Sequence, residues 1–208
     1  MATVVQRTVG DEYRDAVRPA METVRRWAEL HGYTYDADHL PAFPERPAPW
    51  AKLPLLLERL ADETLWVDAD CVASCRKPLE AFLPSADSDV VFARDPVTRI
   101  STGVMYLRPT ARALLLAADK DPQWRRRELW DQDAIDAALD QTGLRWTVAP
   151  KLAGNLWHRE FRRCGRVRTD RYFDGTQLFC HVSGVRSNGR PNLPELARII
   201  RQKAAVLQ

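Results

Sequence analysis

Thr64-Leu65-Trp66-Val67-Asp68-Ala69-Asp70 is an apolar run that ends in two carboxylates one residue apart. A run this apolar reads as a strand buried on both faces, and in open α/β sheets ligands bind beyond the carboxyl ends of such strands. Asp68 and Asp70 stand at that end. In an extended chain, residues two apart share a face, which aims both carboxylates at one point. Neighbouring carboxylates repel unless a cation joins them. A hard divalent ion, Mn²⁺ or Mg²⁺, takes oxygen ligands and shares them with substrate phosphates. The plainer alternative for a lone Asp-x-Asp is a pair of solvated turn residues.

The remainder of the chain frames that strand. Its 208 residues suffice for one packed core, and we expect one α/β domain over 1–208, with a basic region from 151 to 208 completing the site. A hydrophobic fraction of 45% with seven Trp excludes a disordered chain, and 28% charged residues suit a soluble surface. No apolar run reaches the length of a membrane span, and Met1-Ala2-Thr3-Val4-Val5 lacks the basic start and apolar stretch of a signal peptide, so a cytoplasmic location is expected. Cys71, Cys75, Cys164 and Cys180 follow neither a disulfide framework nor a CxxC pattern, which implies reduced thiols, the alternative being a zinc site of Cys71, Cys75 and a later Cys or His. From Lys151 onward twelve Lys and Arg face four Asp and Glu, against nineteen and twenty-four before it. A basic final third beside an acidic cation site suits a metal-bound diphosphate, although a solvated Arg-rich surface has the same composition.

Periodicity alternates strand and helix. Strands are expected over 2–9, 33–35, 64–67, 89–93, 104–107, 145–148 and 178–182. Helices are expected over 11–30, with an apolar face of Ala16, Val17, Met21, Val24, Ala28 and Leu30, and over 50–60, 77–82, 109–118, 131–139 and 193–206. Residues 38–49 carry Pro41, Pro44, Pro47 and Pro49 and read as an irregular connector. Alternation with right-handed crossovers predicts a Rossmann-like three-layer α/β/α sandwich on a mostly parallel sheet.

Four motifs then occur in order: Trp50-x-Lys52, Asp68-x-Asp70, Ser101-Thr102-Gly103-Val104-Met105 and Trp130-Asp131-Gln132-Asp133. Together they resemble glycosyltransferases of the GT-A fold, most nearly the galactosyl and mannosyl transferases of the yeast Golgi mannan type, and more loosely glycogenin and the lipopolysaccharide galactosyltransferases. The likeness runs from Val4 to about His181 and takes in Gly10-Asp11-Glu12-Tyr13 and His31-Gly32-Tyr33.

By that resemblance Asp68 and Asp70 hold Mn²⁺ or Mg²⁺ on the diphosphate of a nucleotide-sugar, a UDP-sugar being favoured. His181, in His181-Val182-Ser183-Gly184, matches a third metal ligand, although a lone His after an apolar strand is also an ordinary core or surface residue. The donor-binding set so implied is Thr8, Tyr13, Lys52, Asp68, Ala69, Arg94, Ser101, Thr102, Gly103, Gly184, Arg186 and Arg190. Relatives place Lys-Pro soon after His-x-x-Gly, whereas here Arg190-Pro191 follows an Asn188-Gly189 turn, leaving Arg186 and Arg190 both open for the phosphates. Ser101 replaces an Asn of the relatives in a loop expected against the donor sugar; Gly103 also fits a simple turn. Asp131, Gln132 and Asp133 become the catalytic candidates, orienting the sugar or steadying positive charge at the anomeric carbon, while Asp131 alone also reads as a helix N-cap. Trp50 suits packing. Tyr13 suits either stacking on the base or the edge of the core. The relatives imply retention of configuration, and no nucleophile stands out.

Trp157 and His158 are the acceptor-side candidates, with the acceptor itself open among sugar, peptide, small molecule and nucleic acid. A rival reading takes Arg159, Arg162, Arg163, Arg166, Arg168 and Arg171, interleaved with Trp157 and Phe161, as a nucleic-acid footprint, on a binding protein or on an enzyme that glycosylates a polyanion. A sugar nucleotidyltransferase shares the architecture but uses a Gly-rich basic loop after the first strand, which Val9-Gly10-Asp11-Glu12 is not.

Overall fold

A computed structural model describes residues 2–40, 46–84, 87–95, 98–123, 129–156, 161–163, 166–168, 173–182, 186–187 and 190–205. The chain opens with β1 (Thr3–Val9), α1 (Asp11–Leu30), β2 (Thr34–Leu40), a 3₁₀ turn at Ala48–Ala51, and α2 (Lys52–Arg59). β3 (Thr64–Val67), β4 (Cys71–Ala73), β5 (Val90–Ala93) and β6 (Ser101–Leu107) follow, then α3 (Arg112–Asp119), α4 (Asp131–Thr142) and β7 (Trp146–Ala149). The last third holds β8 (Ala153–Asn155), β9 (Phe161–Arg163), β10 (Arg166–Arg168), β11 (Phe179–His181), β12 (Arg186–Ser187), β13 (Arg190–Pro191) and α5 (Leu193–Ala205).

The central sheet runs β2-β1-β3-β6-β5-β7. β2, β1, β3, β5 and β7 share a direction, and β6 alone runs against its neighbours β3 and β5. Every residue of β3 is buried, as its unbroken apolar run demands. The two-residue strand period then sorts them between layers. Leu65 and Val67 pack with Val4, Val24, Trp27 and Ala28 beneath α1, while Trp66 packs with Leu53, Leu56, Leu114 and Ile135 of α2, α3 and α4. This is the expected three-layer arrangement.

A second, three-stranded sheet has the order β4-β11-β8. β11 lies antiparallel to β4 and parallel to β8, pairing His181 with Cys71 and with Asn155. Val72 and Cys180 of this sheet join Val17 and Ala20 of α1 and Leu196, Ile199 and Ile200 of α5 in one apolar cluster, so the closing helix clamps the small sheet to α1.

Several local expectations need correction. β2 is not a three-residue strand but pairs with β1 from Thr34 to Leu40, running on into the stretch from 38 read as irregular. Its partly exposed Asp36, Asp38 and His39 gave it no apolar signature. On α1 the buried face is Ala16, Val17, Ala20, Val24, Trp27 and Ala28. Leu30 is 61% exposed because the helix ends there, and Trp27 fills the core instead, its Nε1 donating to the Lys77 carbonyl at 2.9 Å. The helix expected over 77–82 is a single 3₁₀ turn, Leu79–Ala81, and that over 109–118 begins as another, Pro109–Ala111.

Candidate metal centre

Three segments remote in sequence converge at the carboxyl end of β3. The Asp68 N–H donates to the Gly103 carbonyl at 2.7 Å, and the Cys71 N–H donates back to the Asp68 carbonyl at 3.0 Å. Asp68, Ala69 and Asp70 therefore form a turn rather than continuing the strand. Asp68 keeps the face of Trp66, whose indole Nε1 donates to its Oδ1 at 2.7 Å. The turn swings Asp70 toward β11, where its Oδ1 lies 3.2 Å from His181 Nε2, and Asp68 Oδ2 lies 3.7 Å from the same nitrogen. The carboxylates share a target, as expected, but the turn brings them to it rather than strand alternation.

Gly103 clears the space for that imidazole. A Cβ there would stand 2.5 Å from His181 Cε1 and 2.6 Å from Nδ1, closer than any real contact. Its role is close approach; the residue sits within β6, not in the turn or loop expected for Ser101-Thr102-Gly103. Because β6 runs antiparallel, its first residues lie beside the end of β3, with Val104 paired to Val67.

The electrostatics are those of a cation site. Asp70 Oδ1 is buried and makes no hydrogen bond. Burial alone lowers the His181 pKa, but the Asp70 carboxylate and then Asp68 outweigh it, and the net shift is upward. Tyr13, half-buried on α1, has its phenol pushed well above the ordinary range by burial first and then by Asp70 and Asp68, so it stands beside the carboxylates as a neutral hydroxyl.

On the opposite side of Asp68, Lys52 at the start of α2 is only 4% exposed in its side chain. Its three ammonium protons have three acceptors: Asp68 Oδ1 at 3.1 Å, Asp131 Oδ2 at 2.9 Å and the Thr102 carbonyl at 3.0 Å. Burial opposes its charge, yet Asp131 and Asp68 together raise its pKa. Lys52 thus bridges two carboxylates from within the fold. Asp131 is no N-cap. Trp130 occupies the cap position without a side-chain bond, and the Asp131 carboxylate accepts from Thr102 Oγ1 at 2.9 Å. Burial raises the Asp131 pKa ahead of the downward pull of Lys52. Gln132 is held by two bonds, its Oε1 accepting from the Thr102 N–H at 3.2 Å and its Nε2 donating to Thr98 Oγ1 at 2.8 Å. Asp133 instead accepts from the Leu129 N–H at 2.9 Å and fastens the helix start.

The other sequence candidates divide by position. Thr8 is buried with Oγ1 2.9 Å from His39 Nδ1. The methyl of Ala69 is packed into the α1–α5 cluster, leaving only its backbone for a ligand. Ser101 is buried, its Oγ 3.4 Å from the Gly103 N–H, whereas Arg94 is exposed just beyond β5. Arg186 and Arg190 lie on a two-stranded hairpin, and Arg162, Arg163, Arg166 and Arg168 on another. Gly184, Trp157, His158, Arg159, Arg171 and Cys164 fall outside the described residues. Sequence reading missed Gln6, whose Nε2 donates to the Asp68 carbonyl at 3.2 Å and whose Oε1 accepts from Tyr35 Oη at 2.9 Å. The signal available was that Gln6 follows Val4 and Val5 in the first strand, where Val4 and Val5 are buried with it.

The residues fit a divalent cation. Asp70 Oδ1 and Asp68 Oδ2 lie 3.2 and 3.7 Å from His181 Nε2, and one carboxylate oxygen is buried without a hydrogen-bond partner. Among the described residues, no helix is long and apolar enough to cross a membrane.

The architecture is the GT-A glycosyltransferase fold. A glycosyltransferase involved in glycosylation of the major capsid of PBCV-1 matches with a TM-score of 0.73 over 97% of this chain and 98% of that one, at 15% identity. The galactosyltransferase LgtC, solved with donor and acceptor sugar analogues, matches with 0.54 over 99% and 96% at 14% identity. Drosophila β1,4-galactosyltransferase 7, in complex with manganese, UDP-Gal and xylobiose, matches with 0.55 over 95% and 79% at 11% identity. No family model and no curated protein sequence matches the chain.

Proposed function

We propose that this protein is a metal-dependent hexosyltransferase that moves a sugar from a nucleotide-diphosphate donor, a UDP-sugar, to an acceptor with retention at the anomeric carbon. The observation that carries the reading is the meeting of Asp68, Asp70 and His181 at one point beyond β3. Mn²⁺ held by these three residues supplies screening for the charge that develops on the departing nucleoside diphosphate. The chain's own contribution is positional. Lys52 bridges Asp68 and Asp131 from within the fold, offsetting one of their two charges and holding both carboxylates in place. Gln132, fixed by Thr98 and the Thr102 backbone, is the group we assign to orient the sugar, with Asp131 behind it. Tyr13 lines the donor side beside Asp70. Trp157 and His158 are assigned to the acceptor side, and the narrower likeness to the yeast mannan transferases rests on motif order.

A thermal-shift screen of UDP-, GDP-, dTDP- and ADP-sugars, with and without Mn²⁺, tests this. A UDP-sugar that stabilises the protein only with Mn²⁺ supports it, by about 2.7 kcal/mol at a hundredfold excess over its Kd. No stabilisation by any of the four overturns it. Binding of DNA or RNA with a steep salt dependence would establish the Arg-rich segment as the working surface.

A further inference from the structure

Asp70 and His181 belong to two overlapping sets of possible ligands. One is the oxygen-rich set with Asp68. The other includes Cys71: one ligand atom from each of Asp70, Cys71 and His181 lies within 4.8 Å of the other two. The paired backbones of β4 and β11 fix this second set, since His181 and Cys71 are register partners. Cys71 is fully buried beneath the site, and its Sγ faces the Gly103 carbonyl at 3.9 Å. That contact is a weak one, easily exchanged for a bond to a metal.

We propose that Asp70, Cys71 and His181 form a binding site for thiophilic divalent cations, Zn²⁺ above all, that excludes Mn²⁺ from the Asp68–Asp70–His181 set and silences the enzyme. A carboxylate, a thiolate and an imidazole are the donors Zn²⁺ prefers, at about 2.0 to 2.3 Å from the ion in near-tetrahedral geometry. Mn²⁺ favours oxygen and stands lowest in the affinity order of the first-row divalent metals, so Zn²⁺ prevails wherever both are available. The step is a proton exchange without redox chemistry. The Cys71 thiol gives up its proton to solvent, the sulfur lone pair forms the metal bond, and a water leaves the ion to make room. Asp68 stays with Lys52 and Trp66 and takes no part.

Silencing rests on the proposed transferase reading; the coordination does not. Cobalt(II) titration of the purified full chain reads the coordination directly, because a thiolate ligand gives a near-ultraviolet sulfur-to-cobalt charge-transfer band. The band is expected in the wild type and in Asp68→Asn and Cys180→Ser, and absent in Cys71→Ser and in His181→Ala. Cys71→Ser is expected to weaken Zn²⁺ binding by about tenfold or more, the scale on which even an outer-shell loss weakens a metal site, while leaving Mn²⁺ binding within about threefold. Cys71→Ala, with its fold checked by circular dichroism, covers misfolding of the serine variant. Cobalt that fails to bind, or binds without the band, overturns the proposal, as does a band that persists in both Cys71 variants. If the band behaves as expected and no nucleotide-sugar stabilises the protein, the metal site stands and the transferase reading fails.

Discussion

Gly103 and His181 show how much a single missing methyl decides at the residue scale. Gly103→Ala would drive a Cβ into the imidazole at 2.5 Å, with backbone on one side and a buried ring on the other. It is expected to cost about 1–3 kcal/mol, the usual price of overpacking, and to abolish Mn²⁺ binding by isothermal titration calorimetry. Adding His181→Ala should recover most of that stability and none of the binding, because the two changes share one contact. Asp70→Ala is expected to remove Mn²⁺-dependent stabilisation by a donor while shifting the metal-free melting temperature little. The lost His181 pair is offset by removal of a buried oxygen that has no hydrogen-bond partner. The proton couples to the same site. His181 has a raised pKa in the folded, metal-free protein, so its contribution to stability is fully present below the ordinary His value of about 6.5 and is lost as pH rises through the folded value. Metal-free protein should therefore lose melting temperature over that window while Mn²⁺ affinity grows, and His181→Gln should flatten both profiles.

At the scale of elements, the Lys52 ammonium at the start of α2 gathers the ends of three others: Asp68 beyond β3, Thr102 of β6 and Asp131 of α4. Lys52→Met removes the shared cation and leaves two carboxylates facing each other; a destabilisation of about 3–5 kcal/mol in urea unfolding is expected, as for other broken buried pairs. Asp131→Asn keeps the Thr102 bond and should cost less. This network also marks where sequence reading reached its limit. Asp68 and Asp70 stood out because an apolar strand that stops at paired carboxylates is a local pattern, whereas His181 was picked out only by the likeness of His181-Val182-Ser183-Gly184 to a family motif. The inward turn of Lys52 was not, since a lysine at a helix start reads as surface unless its partners 16 and 79 residues away are known. β4 and β8 are three-residue strands whose pairing is set by tertiary contact, too short for period-two alternation to register, whereas β11 falls within the apolar run read as a strand over 178–182. The central sheet was legible where strands carry apolar runs, as in β3 and β5, and failed over most of β2, a polar edge strand.

Across the whole molecule, the small sheet is packed on both faces: Cys71, Ala73, Ala153 and Phe179 enter the core beneath α1, and Val72 and Cys180 enter the cluster shared by α1 and α5. Ile200 is fully buried there, and Ile200→Ala is expected to cost about 2–5 kcal/mol and to loosen the strand that carries His181, lowering Mn²⁺ affinity although the substitution is far from the ligands in sequence. Hydrogen exchange at the amides of β11 reads the loosening. The position of β11 also has a consequence for synthesis. Strands β1 to β6 and helix α2 complete the acidic end of β3 from the first half of the chain, but the imidazole that turns two carboxylates into a cation site is residue 181 of 208. On the ribosome the nascent sheet presents Asp70 with neither its histidine nor the helix that holds the histidine in place, and domains gain such long-range pairings only once the closing segments emerge. Under the proposed reading, metal capture would follow the pairing of β11 with β4 rather than seed the folding of the central sheet.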